Sequence, residues 1–274
     1  MKTFGLALGG GGARGIAHIA VLEALDEMGM RPAAIAGTSI GALIGAAYAA
    51  GMSGKDIRRH VIALAHDRSD MLRRLISARA GTIANLFTLG FGSATLIDAE
   101  KLCKQFMPEQ VPEDFGTLEI PLTVIASDLY RREQVAFSSG LLRPALAASV
   151  ALPTLVRPVV IDDRILIDGG ATNPLPFDQL RGQVDAVVAV DISGEPNEGR
   201  RDLPNPWECL LTTVLVMGSA ITAEKLKHGA PALIIRPKVG IFRTLDFLQA
   251  SAILRAAEPA KAEIKDKLAA LLGS

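Results

Sequence analysis

The sequence predicts an α/β protein with a mainly parallel central sheet, because a strand, a tight turn and a helix occur twice in succession near the start of the chain. In the first unit, an apolar strand over 3–8 leads through consecutive glycines into a helix over 14–28. In the second, a strand ending near Gly37 leads into an alanine-rich helix that stops at Gly51. Units of this kind form parallel sheets covered by helices, with sites beyond the carboxyl ends of the strands.

Composition limits the classes of partner. The 274 residues suffice for one large domain over 1–274, with 29 basic and 29 acidic residues. This balance gives no overall basic field, so we expect no nucleic-acid partner. Cys103 and Cys209 match no metal-ligand spacing, and we expect two buried thiols and no metal. Glycines and Arg14 interrupt the N-terminal apolar stretch, which predicts a cytoplasmic protein.

The remaining elements are predicted from periodicity and turn residues. Residues 53–107 are expected to be mainly helical, and the glycine-punctuated stretch 84–96 is a candidate for contacting a membrane or gating a site. A hairpin is predicted over 159–170, turning at Asp162 and Asp163. Helices are predicted over about 207–228, with a core helix at 210–222, and over about 251–272. Further strands are predicted over 120–128, 133–138, 184–193 and 232–236.

The second strand-helix junction carries a candidate nucleophile. It reads Gly37-Thr38-Ser39-Ile40-Gly41, the G-x-S-x-G pattern of a nucleophile elbow, at the place where such an elbow forms. In an elbow the strained turn lifts the serine hydroxyl out of the sheet, and glycines let strand and helix pass closely. The alternative is that Ser39 is only a helix cap.

The glycine loop has two candidate ligands, a phosphate and a reacting oxyanion. Gly10, Gly12 and Gly15 fit the spacing of a dinucleotide-binding turn. However, the second strand lacks the acidic residue that binds ribose, and no lysine follows Gly15 as a Walker loop requires. The loop and the elbow lie at the same sheet edge, which favours backbone N–H groups directed at an oxyanion.

These motifs resemble the patatin-like phospholipase family. The glycine loop over 9–15, the serine motif over 37–41, the block over 148–159 and Asp168-Gly169-Gly170 occur in the family's order. The resemblance covers about residues 4–193, and the helices beyond about 195 carry no matching motif but are assigned to the same domain. It implies a three-layer α/β/α sandwich and a serine-aspartate dyad without histidine or cofactor.

The resemblance assigns the site. Ser39 is the expected nucleophile and Asp168 the expected base, although spacing alone leaves Asp128 and Asp191 as alternatives. The N–H groups of Gly10, Gly11 and Gly12 are expected to stabilise the oxyanion, and Arg14 is a candidate for binding an anionic substrate.

The alternative to a dyad is a triad that includes His228, because this residue follows Asp168 in the chain order of α/β-hydrolase triads. Its place beside lysines at a helix end is typical of a solvated residue.

The resulting expectation is a lipid acyl hydrolase that acts on phospholipids or other lipid esters, with peripheral membrane contact. Acyl transfer to an acceptor other than water would use the same acyl-enzyme and is the first alternative. A non-catalytic interaction protein that retains the fold is the second.

Overall fold

The fold is organised around an eight-stranded sheet within the part of the chain that the computed structural model describes, residues 2–66, 77–78, 97–194, 203 and 206–273. The strands run in the spatial order β5-β6-β3-β2-β1-β7-β8, and β4 also pairs with β3. Their bounds are β1 Phe4–Leu8, β2 Ala34–Thr38, β3 Leu122–Asp128, β4 Glu133–Phe137, β5 Val159–Ile161, β6 Arg164–Asp168, β7 Ala186–Val190 and β8 Leu233–Ile235.

The sheet is mostly parallel, as the sequence predicts. The pairs β1-β2, β1-β7, β2-β3 and β7-β8 are parallel, whereas β4 and β6 run antiparallel to β3, and β5 runs antiparallel to β6. Strands β1, β2 and β7 are buried throughout, which explains why they read as continuous apolar runs.

Helices surround the sheet and bury its two faces in different clusters. In the described residues the helices are α1 His18–Glu27, α2 Ile40–Ala49, α3 Gly54–His66, α4 Ala99–Phe106, α5 Leu142–Ser149, α6 Pro206–Lys227, α7 Ala250–Ala257 and α8 Pro259–Gly273. Because side chains alternate along a strand, Leu6 and Leu8 join the large core formed with the helices, while Ala7 packs with Phe177 and Leu180 on the other face.

The C-terminal helices contribute to the large core. Ile253 of α7 and Ile264 of α8 are fully buried there. The Nζ of Lys261 and the Nε of Arg58 lie 2.5 Å and 2.6 Å from the buried carboxylate of Glu23, which joins α8 and α3 to α1.

The predicted hairpin over 159–170 is present. Asp162 and Asp163 have φ angles of 50° and 59°, so both occupy the left-handed region that a two-residue hairpin turn requires.

Three sequence expectations are wrong. The helix predicted over 251–272 is two helices, because Pro259 cannot continue α7 and instead begins α8. The expectation of two buried thiols is wrong for one of them, because Cys103 is buried but Cys209 is exposed.

The third wrong expectation is the core helix at 210–222. This stretch belongs to α6, which is a largely exposed helix. By length and composition alone, Glu208–Lys227 could cross a membrane, and only 17% of its apolar window is buried. The segment 84–96 lies outside the described residues.

Candidate active site

Ser39 stands at the turn between β2 and α2 in the conformation of a nucleophile elbow. Its φ of 56° and ψ of −127° lie outside the regions that non-glycine residues normally adopt. The flanking glycines permit this turn by close packing. A Cβ at Gly41 would lie 2.2 Å from the Leu8 carbonyl oxygen, and one at Gly37 would lie 2.6 Å from the Ala42 Cα. The G-x-S-x-G spacing is therefore a steric requirement here.

The Ser39 hydroxyl donates a hydrogen bond to the Asp168 carboxylate, with 2.6 Å between Oγ and Oδ2. Asp168 is the last residue of β6 and is buried. Its Oδ1 accepts a hydrogen bond from the Gly170 N–H at 2.7 Å, and its carbonyl oxygen accepts one from the Ser127 hydroxyl at 3.0 Å. These bonds fix the carboxylate so that one oxygen faces Ser39.

Burial changes the acidity of Asp168. Desolvation raises the pKa of its carboxyl group to about 6, while the hydrogen bonds from Ser39 and Gly170 act in the opposite direction. A carboxylate with a pKa near neutrality is a better proton acceptor than an ordinary aspartate and is still ionised at pH 7.

The other two candidate aspartates have different partners. Asp128 accepts hydrogen bonds from the N–H groups of Tyr130 and Arg131 at 3.1 Å and 2.9 Å, and so closes a turn. Asp191 accepts the Ser193 hydroxyl at 2.7 Å and the Arg236 Nε–H at 3.2 Å. Of the three aspartates, Asp168 is the one that the fold brings to Ser39.

His228, the histidine that could complete a triad, lies on the surface of the protein. His228 is 77% exposed, and its Nε2 lies 3.5 Å from Glu224 on the surface of α6. No hydrogen bond in the described part of the chain joins a histidine to Ser39 or Asp168. The described residues likewise contain no group of three or more histidine, cysteine or acidic side chains that could hold a metal ion.

The glycine loop directs only some of its N–H groups away from the protein. Gly10 donates its N–H to the Pro174 carbonyl at 2.9 Å, so it is already engaged within the fold. In the region described, the N–H groups of Gly11 and Gly12 make no hydrogen bond to the protein. Of the three predicted oxyanion donors, Gly10 therefore has its N–H engaged within the fold, whereas Gly11 and Gly12 stay predicted donors. Gly12 is required sterically, because its φ is 61° and a Cβ would lie 2.2 Å from the Thr244 carbonyl oxygen.

His18 supports this loop from the protein interior, a role the sequence analysis missed. Its Nε2 lies 2.8 Å from the Gly9 carbonyl oxygen, and burial lowers the pKa of the imidazole to about 4. The ring is therefore neutral at pH 7. Since the carbonyl can only accept, Nε2 carries the proton. The position of His18 in the sequence could have indicated this role, because the residue lies on the buried first turn of α1, directly after the glycine loop.

Ser149 is a second residue that the sequence analysis missed. Its buried hydroxyl accepts a hydrogen bond from the Ser39 N–H at 2.8 Å and so holds the strained turn. Ser149 ends α5 and lies inside the block over 148–159 that resembled the family without suggesting a role.

Arg14, the candidate for binding an anionic substrate, donates hydrogen bonds to two backbone carbonyl groups. Its Nε donates to the Phe242 carbonyl at 2.8 Å and its Nη1 to the Ser193 carbonyl at 2.5 Å. Arg14 therefore ties the glycine loop to the C-terminal part of the domain, and its binding of an anionic substrate stays a prediction.

Ser39 and Asp168 open into a cavity of about 550 Å³. Its walls are formed by apolar side chains from several helices, including Leu43, Val61, Leu102, Leu211 and Leu215. Such a cavity suits the apolar part of a ligand, and Ser39 and Asp168 are among the polar groups that line it.

Comparison with known proteins identifies the family. The model of the patatin-like phospholipase family matches residues 6–181, more than half of the chain, and the protein belongs to that family. An uncharacterized NTE family protein of Mycobacterium tuberculosis is 36% identical over 198 residues, covering 72% of this chain and 51% of that protein. Patatin-like phospholipase domain-containing protein 7 of Rattus norvegicus is 29% identical over 271 residues, covering 90% of this chain and 19% of the rat protein.

The fold has a counterpart among solved structures. The crystal structure of VipD from Legionella pneumophila superposes with a TM-score of 0.52 at 16% identity, covering 97% of this chain and 66% of that one. Of the relatives matched by sequence, the chain spans about half the length of the mycobacterial protein and about a fifth of the rat protein. Membership of the family supports a lipid hydrolase activity.

The buried carboxylate predicts a stabilising substitution. Because the pKa of Asp168 is about 6 in the fold and 3.8 in the reference state, ionisation destabilises the folded protein. The resulting loss of unfolding free energy is absent below about pH 4, grows as the pH rises towards 6 and is constant above pH 6. Asp168→Asn should therefore raise the free energy of unfolding by up to roughly 3 kcal/mol at pH 8. Urea unfolding at pH 4 and pH 8 measures the difference. A variant less stable than the wild type at pH 8 would contradict this account.

Proposed function

We propose that this protein is a serine acyl hydrolase of lipid esters that uses a Ser39-Asp168 dyad. The observation that carries the proposal is the 2.6 Å contact between the Ser39 Oγ and the Asp168 Oδ2 at a strained elbow. A nucleophile is recognised by this combination of a strained turn, a hydrogen-bonded base and nearby donors for an oxyanion.

Acylation begins when Asp168 takes the hydroxyl proton as the Ser39 Oγ attacks the ester carbonyl carbon. The carbonyl oxygen becomes an oxyanion, and the unpaired N–H groups of Gly11 and Gly12 stabilise it. The protonated Asp168 then gives the proton to the departing alcohol oxygen. This leaves an acyl-enzyme ester on Ser39 and an ionised Asp168.

In deacylation, water takes the place of Ser39 as the attacking group, and Asp168 again acts as the base. Asp168 takes a proton from a water molecule as the water oxygen attacks the acyl-enzyme carbonyl. The tetrahedral intermediate collapses, the carboxylic acid leaves, and the Ser39 oxygen recovers its proton from Asp168. One carboxyl group serves both steps because its raised pKa suits it to accepting and returning a proton near pH 7.

The cavity supports a lipid substrate. An acyl chain can fill the apolar space between α2, α3, α4 and α6 with its ester group beside Ser39 and Asp168. The apolar walls contribute binding in proportion to the chain surface that they cover.

A panel of three variants tests the dyad. Ser39→Ala should remain folded but lose both ester hydrolysis and labelling by a fluorophosphonate probe, because the attacking oxygen is absent. Asp168→Asn keeps the side-chain shape but removes the base, so kcat should fall by about a thousandfold or more. His228→Ala is the control, with kcat within about twofold of wild type. The measurement is hydrolysis of a short-chain soluble ester, with circular dichroism to confirm folding.

Two outcomes of the panel would contradict the proposal. Labelling that persists in Ser39→Ala would place the nucleophile elsewhere, and a folded but inactive His228→Ala would show a triad. Adding alcohol acceptors during turnover separates hydrolysis from acyl transfer, because a transferase forms a new ester from the same acyl-enzyme.

A pair of glycine variants tests the oxyanion donors. Gly12→Ala forces a left-handed residue and a backbone clash with Thr244, so the loop must move. Loss of one donor costs about 2.7–4 kcal/mol, so kcat should fall by about a hundredfold or more. Gly29→Ala is the matched control. Gly29 has a similar left-handed φ of 65°, but a Cβ there would meet no atom within 4 Å and Gly29 does not line the cavity, so kcat should stay within about twofold of wild type. Wild-type kcat in a folded Gly12→Ala would refute this role.

A further inference from the structure

One side of α6 presents an uncharged surface to solvent. Between Glu208 and Glu224 the helix contains no charged residue, and its outward side carries Val216, 64% exposed, and Met217, 60% exposed. The remaining exposed residues of this side are Cys209, Leu210, Thr212, Thr213, Ala220 and Ala223. We call this set the outer α6 face. Burying such a face is favourable, and a contiguous one marks an interaction surface.

The opposite side of α6 is a wall of the cavity that contains Ser39. Leu211, Val214 and Leu215 line that cavity. The helix packs near Pro174 at Gly218, where a Cβ would lie 3.4 Å from the Pro174 Cβ. Thus α6 separates the cavity from the surroundings, with apolar groups on both of its sides.

The cavity reaches the surface beside this helix. Leu245 and Leu248 line the cavity and are also about half exposed, so they form part of its rim. The Arg243 Nε lies 3.5 Å from the Glu208 carboxylate, which places this rim next to the start of α6.

We propose that the outer α6 face and the rim formed by Leu245 and Leu248 lie on the surface of a lipid bilayer. The proposal rests on the proposed function, because a lipid ester must pass from a bilayer into the cavity. A protein partner or a second copy seated on these residues would cover the rim and hinder that passage, whereas a bilayer supplies the substrate there. An uncharged, exposed apolar helix face is suited to the boundary between headgroups and acyl chains.

The arrangement favours a helix that lies on the membrane over one that crosses it. A spanning helix would have to leave Pro174 and take Leu211, Val214 and Leu215 out of the cavity wall. That would expose apolar surface that the domain covers now.

The test compares two double variants with the same added charge. Val216→Asp/Met217→Asp places two carboxylates on the outer α6 face. The control, Tyr130→Asp/Val160→Asp, places two on side chains that are 74% and 66% exposed and do not line the cavity. Binding to phosphatidylcholine vesicles is measured by sedimentation. We expect the first variant to lose about tenfold or more in vesicle affinity and the control to retain it, because only the first puts charge into the membrane boundary.

A soluble substrate distinguishes this proposal from the proposed function. Both double variants should hydrolyse a short-chain soluble ester within about twofold of wild type, since neither alters the cavity lining. Wild-type protein that binds vesicles but cleaves no ester would overturn the hydrolase and leave the docking surface standing.

Three results would overturn the docking surface: wild-type protein that does not sediment with vesicles, equal binding by both double variants, or a wild-type dimer that only Val216→Asp/Met217→Asp dissociates. The last result would assign the outer α6 face to a second copy of the chain.

Discussion

The contact between Ser39 and Asp168 depends on strand β3, which is paired with the strands that carry both residues. Thr38, at the end of β2, lies opposite Ile125, and Asp168, at the end of β6, lies opposite the next residue, Ala126. The register of one strand therefore brings together two side chains that are 129 positions apart in sequence. Strand β6 lies on the side of β3 opposite β2 and, although it runs antiparallel, it ends level with the end of β2.

Close packing and burial then convert this contact into a candidate dyad. Glycines at 37 and 41 let α2 start directly against β1, so the Ser39 turn is rigid rather than free to relax. The same packing excludes water from Asp168 and raises the pKa of its carboxyl group. The burial that makes Asp168 a better base therefore also destabilises the folded protein above pH 6, as is common at functional sites.

Local sequence pattern was sufficient to predict much of the fold and the strained turn at Ser39. The parallel strands β1 and β2, the hairpin turn at Asp162 and Asp163, and the elbow at Ser39 all follow from short-range sequence features. Choosing Asp168 over Asp128 and Asp191 needed the family resemblance, because all three end strands and only tertiary pairing distinguishes them.

Other features depend on contacts that no local pattern reports. Ser149 holds Ser39 across 110 positions, and the engagement of the Gly10 N–H depends on a carbonyl at Pro174. The backbone partners of Arg14, at Phe242 and Ser193, are likewise distant in sequence, so no local pattern predicts them. The exposure of α6 was missed because apolar composition indicates a helix that avoids water without indicating whether protein or lipid covers it.

The pH dependence of kcat/KM for a short-chain soluble ester tests the central claim, that Asp168 is the base for Ser39, most directly. Only the ionised carboxylate can accept the hydroxyl proton, so activity should be constant above about pH 7. It should fall below the pKa of about 6, approaching tenfold per pH unit. A His228→Ala protein should show the same inflection. A profile that stays flat from pH 7 down to pH 4.5 in a folded protein would contradict the account.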